Sequence, residues 1–186
     1  MTSLPTSSAH WVMRARARVS SHDPPMVIRP ATEADVALVL RFIRELAEYE
    51  RLLDEVTATE EDVRQALFGE RPYAEAVVAE LDGEPAGFAL FFHNFSTFLA
   101  RPGLYLEDLY VSPAHRGRGV GRRLLAHLAA LARDRGCGRF EWAVLDWNED
   151  AIRTYRKAGA VPQDEWTVYR LTGDALDRLA AEAEEC

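Results

Sequence analysis

Three glycines and four arginines crowd into eight residues, Arg116-Gly117-Arg118-Gly119-Val120-Gly121-Arg122-Arg123. Spaced glycines let the backbone approach a ligand and take conformations that a side chain blocks. The arginines add planar, fork-shaped cationic donors around the same point. An apolar run from Leu104 to Val111 and a Ser112-Pro113 turn precede this loop, and a helix is predicted from near Val120. The first turn of a helix carries free N–H groups and the positive end of the dipole, which favour phosphate. The chemistry these residues can do is to cradle a phosphate or pyrophosphate. The Gly-x-Gly-x-Gly spacing differs from the Gly-x-Gly-x-x-Gly of a dinucleotide loop, and no Lys-Ser/Thr follows Gly121 as a P-loop requires. The plain alternative is a turn that meets only solvent and stray anions.

Two further groups of residues could react. Glu107 and Asp108 lie in the middle of the apolar run before the cradle. Strict strand alternation puts Leu104, Leu106, Asp108 and Tyr110 on one face and Tyr105, Glu107, Leu109 and Val111 on the other. A carboxylate in such a strand is costly unless it is paired or used, and burial that raises its pKa suits a general base. Pairing with a neighbouring arginine is the bland reading. Downstream, Asn148 and Tyr155 are separated by two helical turns and share a face. A tyrosine hydroxyl with a pKa of about 10 can give its proton to a leaving thiolate, whose conjugate acid sits at about 8.5. Alternatively, Asn148 only caps the helix and Tyr155 only packs. Glu50 follows Ile43 at a spacing that returns it to an apolar helix stripe, either at a frayed end in water or aimed into a cleft.

The elements that must position these groups read in order. Met26 to Arg29 is a short strand closed by Pro30, and Thr32 with Asp35 opens a helix over 33–50 in a capping-box arrangement. Val36, Val39, Leu40, Ile43 and Ala47 supply its apolar stripe. Thr59 caps a second helix to about Phe68, ended by Gly69. Tyr73 to Glu80 and Pro85 to Phe92 form a hairpin on the Asp82-Gly83 turn. A loop from Asn94 to Pro102 then leads into the central strand. Leu124, Leu125, Leu128, Leu131 and Ala132 make the stripe of the helix after the cradle, capped by Gly136, and Arg139 to Leu145 is a strand parallel to the central one. Asn148 opens a helix to about Lys157, Trp166 to Leu171 is a last strand, and Asp174 to Glu184 a terminal helix. The class is α+β, with a mixed, mostly antiparallel central sheet flanked by helices.

A length of 186 residues suits one domain with a core of its own. Residues 1–25 are rich in Ser, Pro and Arg and are expected to lie outside the fold, as a disordered extension or upstream of a start at Met26; residues 26–186 form the domain. No apolar stretch of signal or membrane length is present. A net charge of −8 argues against nucleic acid as the partner and suits a cationic substrate. Cys137 and Cys186 have neither metal-ligand nor redox spacing and fit a reducing cytoplasm. The five histidines are scattered, and no metal site is expected.

The loop Arg116 to Gly121 together with Asn148 … Tyr155 … Gly159 resembles the paired signatures of the GNAT N-acetyltransferases. The resemblance narrows to the spermidine/spermine (diamine) and thialysine acetyltransferases through Ile28-Arg29-Pro30-Ala31-Thr32, Glu45-Leu46-Ala47 with Tyr49-Glu50, and Tyr105-Leu106-Glu107-Asp108-Leu109-Tyr110-Val111. Trp147-Asn148-Glu149 and Tyr155-Arg156-Lys157-Ala158-Gly159-Ala160 add to it. It implies the GNAT acyl-CoA N-acyltransferase fold, acetyl-CoA as co-substrate, a small cationic amine such as a polyamine, diamine or thialysine-like compound as acceptor, no nucleic acid or membrane partner, and a cytoplasmic homodimer. It also implies roles. Leu109, Tyr110 and Val111 would offer backbone groups to the acetyl and pantetheine portions, Arg116, Gly117, Arg118, Gly119, Val120, Gly121 and Arg122 would hold the pyrophosphate, and Asn148 would touch the coenzyme arm. Tyr155 would be the general acid, and Glu107 would contact the acceptor amine and help remove its proton. Tyr49 and Glu50 would bind a far ammonium, Glu141, Trp142 and Ala143 would edge the acceptor site, and Asp164 would stand in for a family carboxylate there. The competing functions are acetylation of an amino acid, an antibiotic amine or a protein N-terminus, and a non-catalytic acetyl-CoA sensor. Retention of Glu107 and Tyr155 speaks against the sensor, which needs only the cradle.

Overall fold

Asp35 is the one charged side chain buried among the described residues, and its partners explain how the first strand meets the first helix. Its carboxylate accepts two bonds from Arg29, at 2.7 and 2.8 Å, and two from Thr32, from the backbone N–H and the hydroxyl, each at 2.8 Å. Arg29 also donates to Glu80 at 2.8 Å. The Arg29 guanidinium holds the Asp35 carboxyl well below the usual carboxylate range. A computed structural model describes residues 25–183; apart from Pro25, the expected extension lies outside the described residues, as does Cys186. These residues divide into two units, one up to Ala143 and one from Val144 onward, and each is taken by itself.

The first unit contains strands β1 (Met26–Pro30), β2 (Glu75–Leu81), β3 (Glu84–Ser96), β4 (Arg101–Val111) and β5 (Arg139–Trp142), with helices α1 (Val36–Glu50), α2 (Glu60–Phe68) and α3 (Val120–Asp134). The sheet order is β1-β2-β3-β4-β5. Every pairing is antiparallel except β4 with β5, so the sheet is mixed and mostly antiparallel. Helix α3 is the crossover between the two parallel strands. Thr59 and Asp62 close a capping box at the start of α2, with bonds of 2.6 to 3.2 Å. Val36, Val39, Leu40 and Phe42 of α1 bury their stripe with Val63 and Leu67 of α2 and with Phe88 and Tyr110 of the sheet. Phe42 stacks on Phe88 at 5.7 Å and tilts against Tyr110 at 5.6 Å.

The central strand departs from strict alternation. Leu90 pairs with Asp108 but the next residue, Phe91, pairs with Leu106, which leaves Glu107 as the extra residue of a β-bulge. The bulge moves the side chains that precede it to the opposite parity from those that follow. Tyr105, against Phe92 at 5.2 Å, therefore joins the α1 face with Asp108 and Tyr110. Leu106, opposite Phe91, shares the α3 face with Leu109 and Val111, which approach Gly121. The face assignment expected from alternation is corrected here, because one inserted residue reverses the period.

The second unit holds helix α4 (Glu149–Lys157) and helix α5 (Gly173–Ala181). The strand expected at Trp166 to Leu171 does not form. Trp166, Val168 and Tyr169 are 74, 86 and 93% exposed, so the alternation there buries no apolar face. The strand expected to reach Leu145 stops at Trp142, whereas β3 and β4 extend further than expected and shorten the loop between them to residues 97–100. Among the described residues no helix is long and apolar enough to cross a membrane.

Candidate active site

The glycine-rich loop and the helix after it start where the sequence places them. Gly117 and Gly119 adopt left-handed φ values of 76° and 82°, and a Cβ added at either would meet nothing within 4 Å. Both therefore present bare backbone to open space. Gly119 is the residue that caps α3 and brings no side chain to the first-turn N–H groups. Val120 is 1% exposed, so its side chain anchors the loop in the core while only its backbone belongs to the cradle. Arg122 and Arg123 are exposed, and Arg123 reaches the Met26 carbonyl at 3.3 Å. Arg118 lies 3.4 Å from Asp82 of the β2–β3 turn. A pyrophosphate such as that of coenzyme A fits this arrangement of open backbone, helix N-terminus and exposed guanidinium groups.

Backbone groups are exposed beside it. Strand β5 pairs with β4 only from Gly103 to Leu106. Among the described residues no strand pairs with β4 on that side beyond Leu106, so the edge from Glu107 to Val111 is open there. Leu109, Tyr110 and Val111 lie on that edge, as the backbone role implied for them requires. The Tyr110 ring is buried, and burial and a hydrogen bond to Glu45 push its hydroxyl up to about 12.

The acids collect on the α1 side. Burial, and then the charges of Glu107 and Glu50, push the Asp108 carboxyl up to about 6. Glu50 is itself shifted upward by burial. Glu50 ends α1 and Glu107 is the bulge residue, so a helix terminus and a strand irregularity bring both toward Asp108. Among the described residues none of the three takes part in an ion pair, and the bland reading of Asp108 as an arginine partner is not met. Tyr105 is also shifted upward, first by burial and then by Glu107 and Glu141. Glu141 is held by Arg139 and by the Asn94 amide, each at 2.8 Å. Trp142 follows it in β5, and Ala143 lies just beyond.

In the second unit Asn148 does cap α4, its side-chain oxygen accepting from the Ala151 N–H at 3.3 Å. Tyr155 is half-buried on the same helix, beside Ala151 and Ile152 in the less exposed stripe. Asp164 is exposed in an irregular segment. In the first unit, Glu50, Glu107 and Glu141 are joined by Asp108, which the sequence offers beside Glu107 as a candidate base, and by two residues to which it gives no role, Tyr105 and Asn94. Asp108 carried a signal, being an acid in an apolar strand. Asn94 carried none, because its role depends on a strand pairing with β4 that brings β5 alongside.

Comparison with known proteins adds to this geometry. Residues 40–160 match the model of the acetyltransferase (GNAT) family. The thialysine N-epsilon-acetyltransferase of Sus scrofa is 42% identical over 166 residues, which covers 83% of this chain and 97% of that protein. The L-ornithine N5-acetyltransferase of Arabidopsis thaliana is 33% identical over 197 residues, 82% of this chain and 86% of its own length. The solved structure of an integron cassette protein from the mobile metagenome of V. cholerae superposes with a TM-score of 0.70 at 28% identity, covering 83% of this chain and 97% of that one.

Proposed function

The chain belongs to the acetyltransferase (GNAT) family and is an acetyl-CoA-dependent N-acetyltransferase, and from that premise we propose that its acceptor is a primary amine on a small cationic molecule, of the diamine or thialysine type. The observation that carries this reading is that the charges of Glu107 and Glu50 both bear on the buried Asp108 carboxyl, while among the described residues none of the three takes part in an ion pair. Like charges beside a buried carboxyl are costly, and an ammonium group relieves the cost. The names of relatives acting on thialysine and ornithine agree with an acceptor that carries a side-chain amine.

Bound acetyl-CoA supplies an acyl thioester and a thiolate leaving group. The chain must then do three things. It must remove a proton from an amine whose pKa is about 10, since the ammonium form has no lone pair to attack with. Glu107 takes this role directly or through water, and Asp108, ionised above pH 6, shares it. It must meet the developing oxyanion with a donor, for which the backbone N–H of Leu109 on the open edge of β4 is suited. It must return a proton to the departing sulfur, the role of Tyr155. Gly117 to Arg122 hold the pyrophosphate, Asn148 touches the coenzyme arm, and Tyr49 and Glu50 receive the acceptor's second charge. Glu141, Trp142 and Ala143 edge the acceptor site, with Asp164 as a further carboxylate.

Thiol release from acetyl-CoA against spermidine, spermine, putrescine, thialysine, lysine, ornithine, an aminoglycoside and a short peptide tests the reading, with the product identified by mass. Saturable release with a small di- or polyamine or with thialysine is expected. Turnover confined to the peptide or the aminoglycoside overturns the acceptor class. Tyr155→Phe should slow turnover about 100-fold and leave acetyl-CoA affinity within about twofold. Equal loss of both would mark the tyrosine as structural.

A further inference from the structure

Arg116 opens the cradle, yet its side chain turns away from it. The Nε group donates to the Val111 carbonyl at 3.1 Å. The guanidinium carbon sits 4.8 Å from the centre of the Tyr49 ring and 6.0 Å from that of Tyr110. Tyr110 in turn donates its hydroxyl to Glu45. Glu45 and Tyr49 are four residues apart on α1, so one face of the helix's last turns meets the end of β4 and the start of the loop. We infer that Arg116 is a positioning residue: its side chain braces the Tyr49–Glu50 end of α1 to the phosphate loop, so that filling the cradle orders the part of the site that receives the acceptor.

The geometry favours a brace over a phosphate ligand. A guanidinium stacked on an aromatic face and held by a backbone carbonyl is fixed in plane and direction. Arg118 and Arg122 remain for the pyrophosphate. The chain leaves the brace immediately through Gly117, whose left-handed backbone turns the loop back toward the ligand. Rigid contact between two sites is what lets binding at one change the other, by at most the free energy of the contact. The inference rests on the reading of Tyr49 and Glu50 as acceptor residues, and its test includes a readout independent of turnover.

Hydrogen exchange of the full chain, with and without coenzyme A, supplies that readout. In the wild type the ligand should slow exchange both at residues 117–123 and at residues 46–52. In Arg116→Ala the first protection should remain and the second should vanish, with coenzyme A affinity by calorimetry changed less than threefold. The KM for the amine should rise about tenfold at little change in kcat. Arg116→Lys, which keeps the charge but not the planar stack, should behave like the alanine variant. Tyr49→Phe should keep the coupling, and Tyr49→Leu should abolish it without further loss when combined with Arg116→Ala. A tenfold or greater loss of coenzyme A affinity in Arg116→Ala would assign the side chain to the phosphate and overturn the brace. Persistent protection of residues 46–52 in that variant, or wild-type coupling in Arg116→Lys, would overturn it as well. Failure of every amine to turn over in the wild type refutes the acceptor reading instead, and leaves the exchange result to judge the brace.

Discussion

Asp108 shows what a single residue contributes at the expense of stability. Its carboxyl is pushed from an ordinary 3.8 up to about 6, chiefly by burial. Between about pH 4 and 6 the folded state therefore binds a proton that the unfolded state has released. Stability falls as pH rises through that window and is level above it. Asp108→Asn removes the charge and should stabilise the fold at pH 7 by up to about 3 kcal/mol. It should also flatten the pH dependence and lower kcat/KM about tenfold or more. Urea denaturation of both proteins from pH 4 to 7, beside steady-state rates, checks this. Equal stability at pH 7 with parallel pH profiles would refute the assignment. The sequence showed that Glu107 and Asp108 were out of place in their strand. It could not show which one is buried, because that depends on the bulge.

At the scale of elements, much was legible where signals are local. The Thr32–Asp35 box, the Thr59 cap, the Asp82-Gly83 turn and the start of α3 at Val120 all stand where residue chemistry puts them. Features set by partners were not legible. The bulge at Glu107 is a property of the β3–β4 register, and the segment from Trp166 to Leu171 has a strand's alternation but no strand. The union of β1 with α1 was half legible: the spacing of Thr32 and Asp35 marks the capping box, but no local signal marks the bonds that Arg29 donates to Asp35. Arg29→Met should cost about 3 kcal/mol by leaving a buried carboxylate without its cation. Asp35 now stabilises the fold above the ordinary carboxyl pKa, and this contribution is lost as pH falls through its depressed folded value. Without Arg29 that folded value rises, so acid unfolding should begin at higher pH. Urea melts from pH 3 to 7 measure both effects, and a change under 0.5 kcal/mol at pH 7 with unmoved acid unfolding would contradict the account.

Across the whole molecule two electrostatic scales oppose each other. The chain carries a net charge of −8, while its cradle concentrates arginines for an anionic co-substrate. Long-range attraction to a cationic amine and long-range repulsion of a coenzyme are both expected from the net charge, and both fade once the screening length falls to about 10 Å at 0.1 M salt. At the cradle, short-range attraction to phosphate weakens with salt as well. For acetyl-CoA the two salt effects have opposite signs and largely offset. For the amine they add, because the global field and the Glu50–Glu107–Asp108 cluster both draw a cation. Raising ionic strength from about 20 to 500 mM should therefore lower kcat/KM for the amine several-fold, while the acetyl-CoA dissociation constant moves by less than about threefold. Rates at saturating acetyl-CoA and calorimetric titrations across the same salt series measure the two quantities separately. An amine kcat/KM that is flat or rises with salt would mean that the acceptor does not meet the enzyme as a cation, and that the acidic cluster serves something other than its recognition.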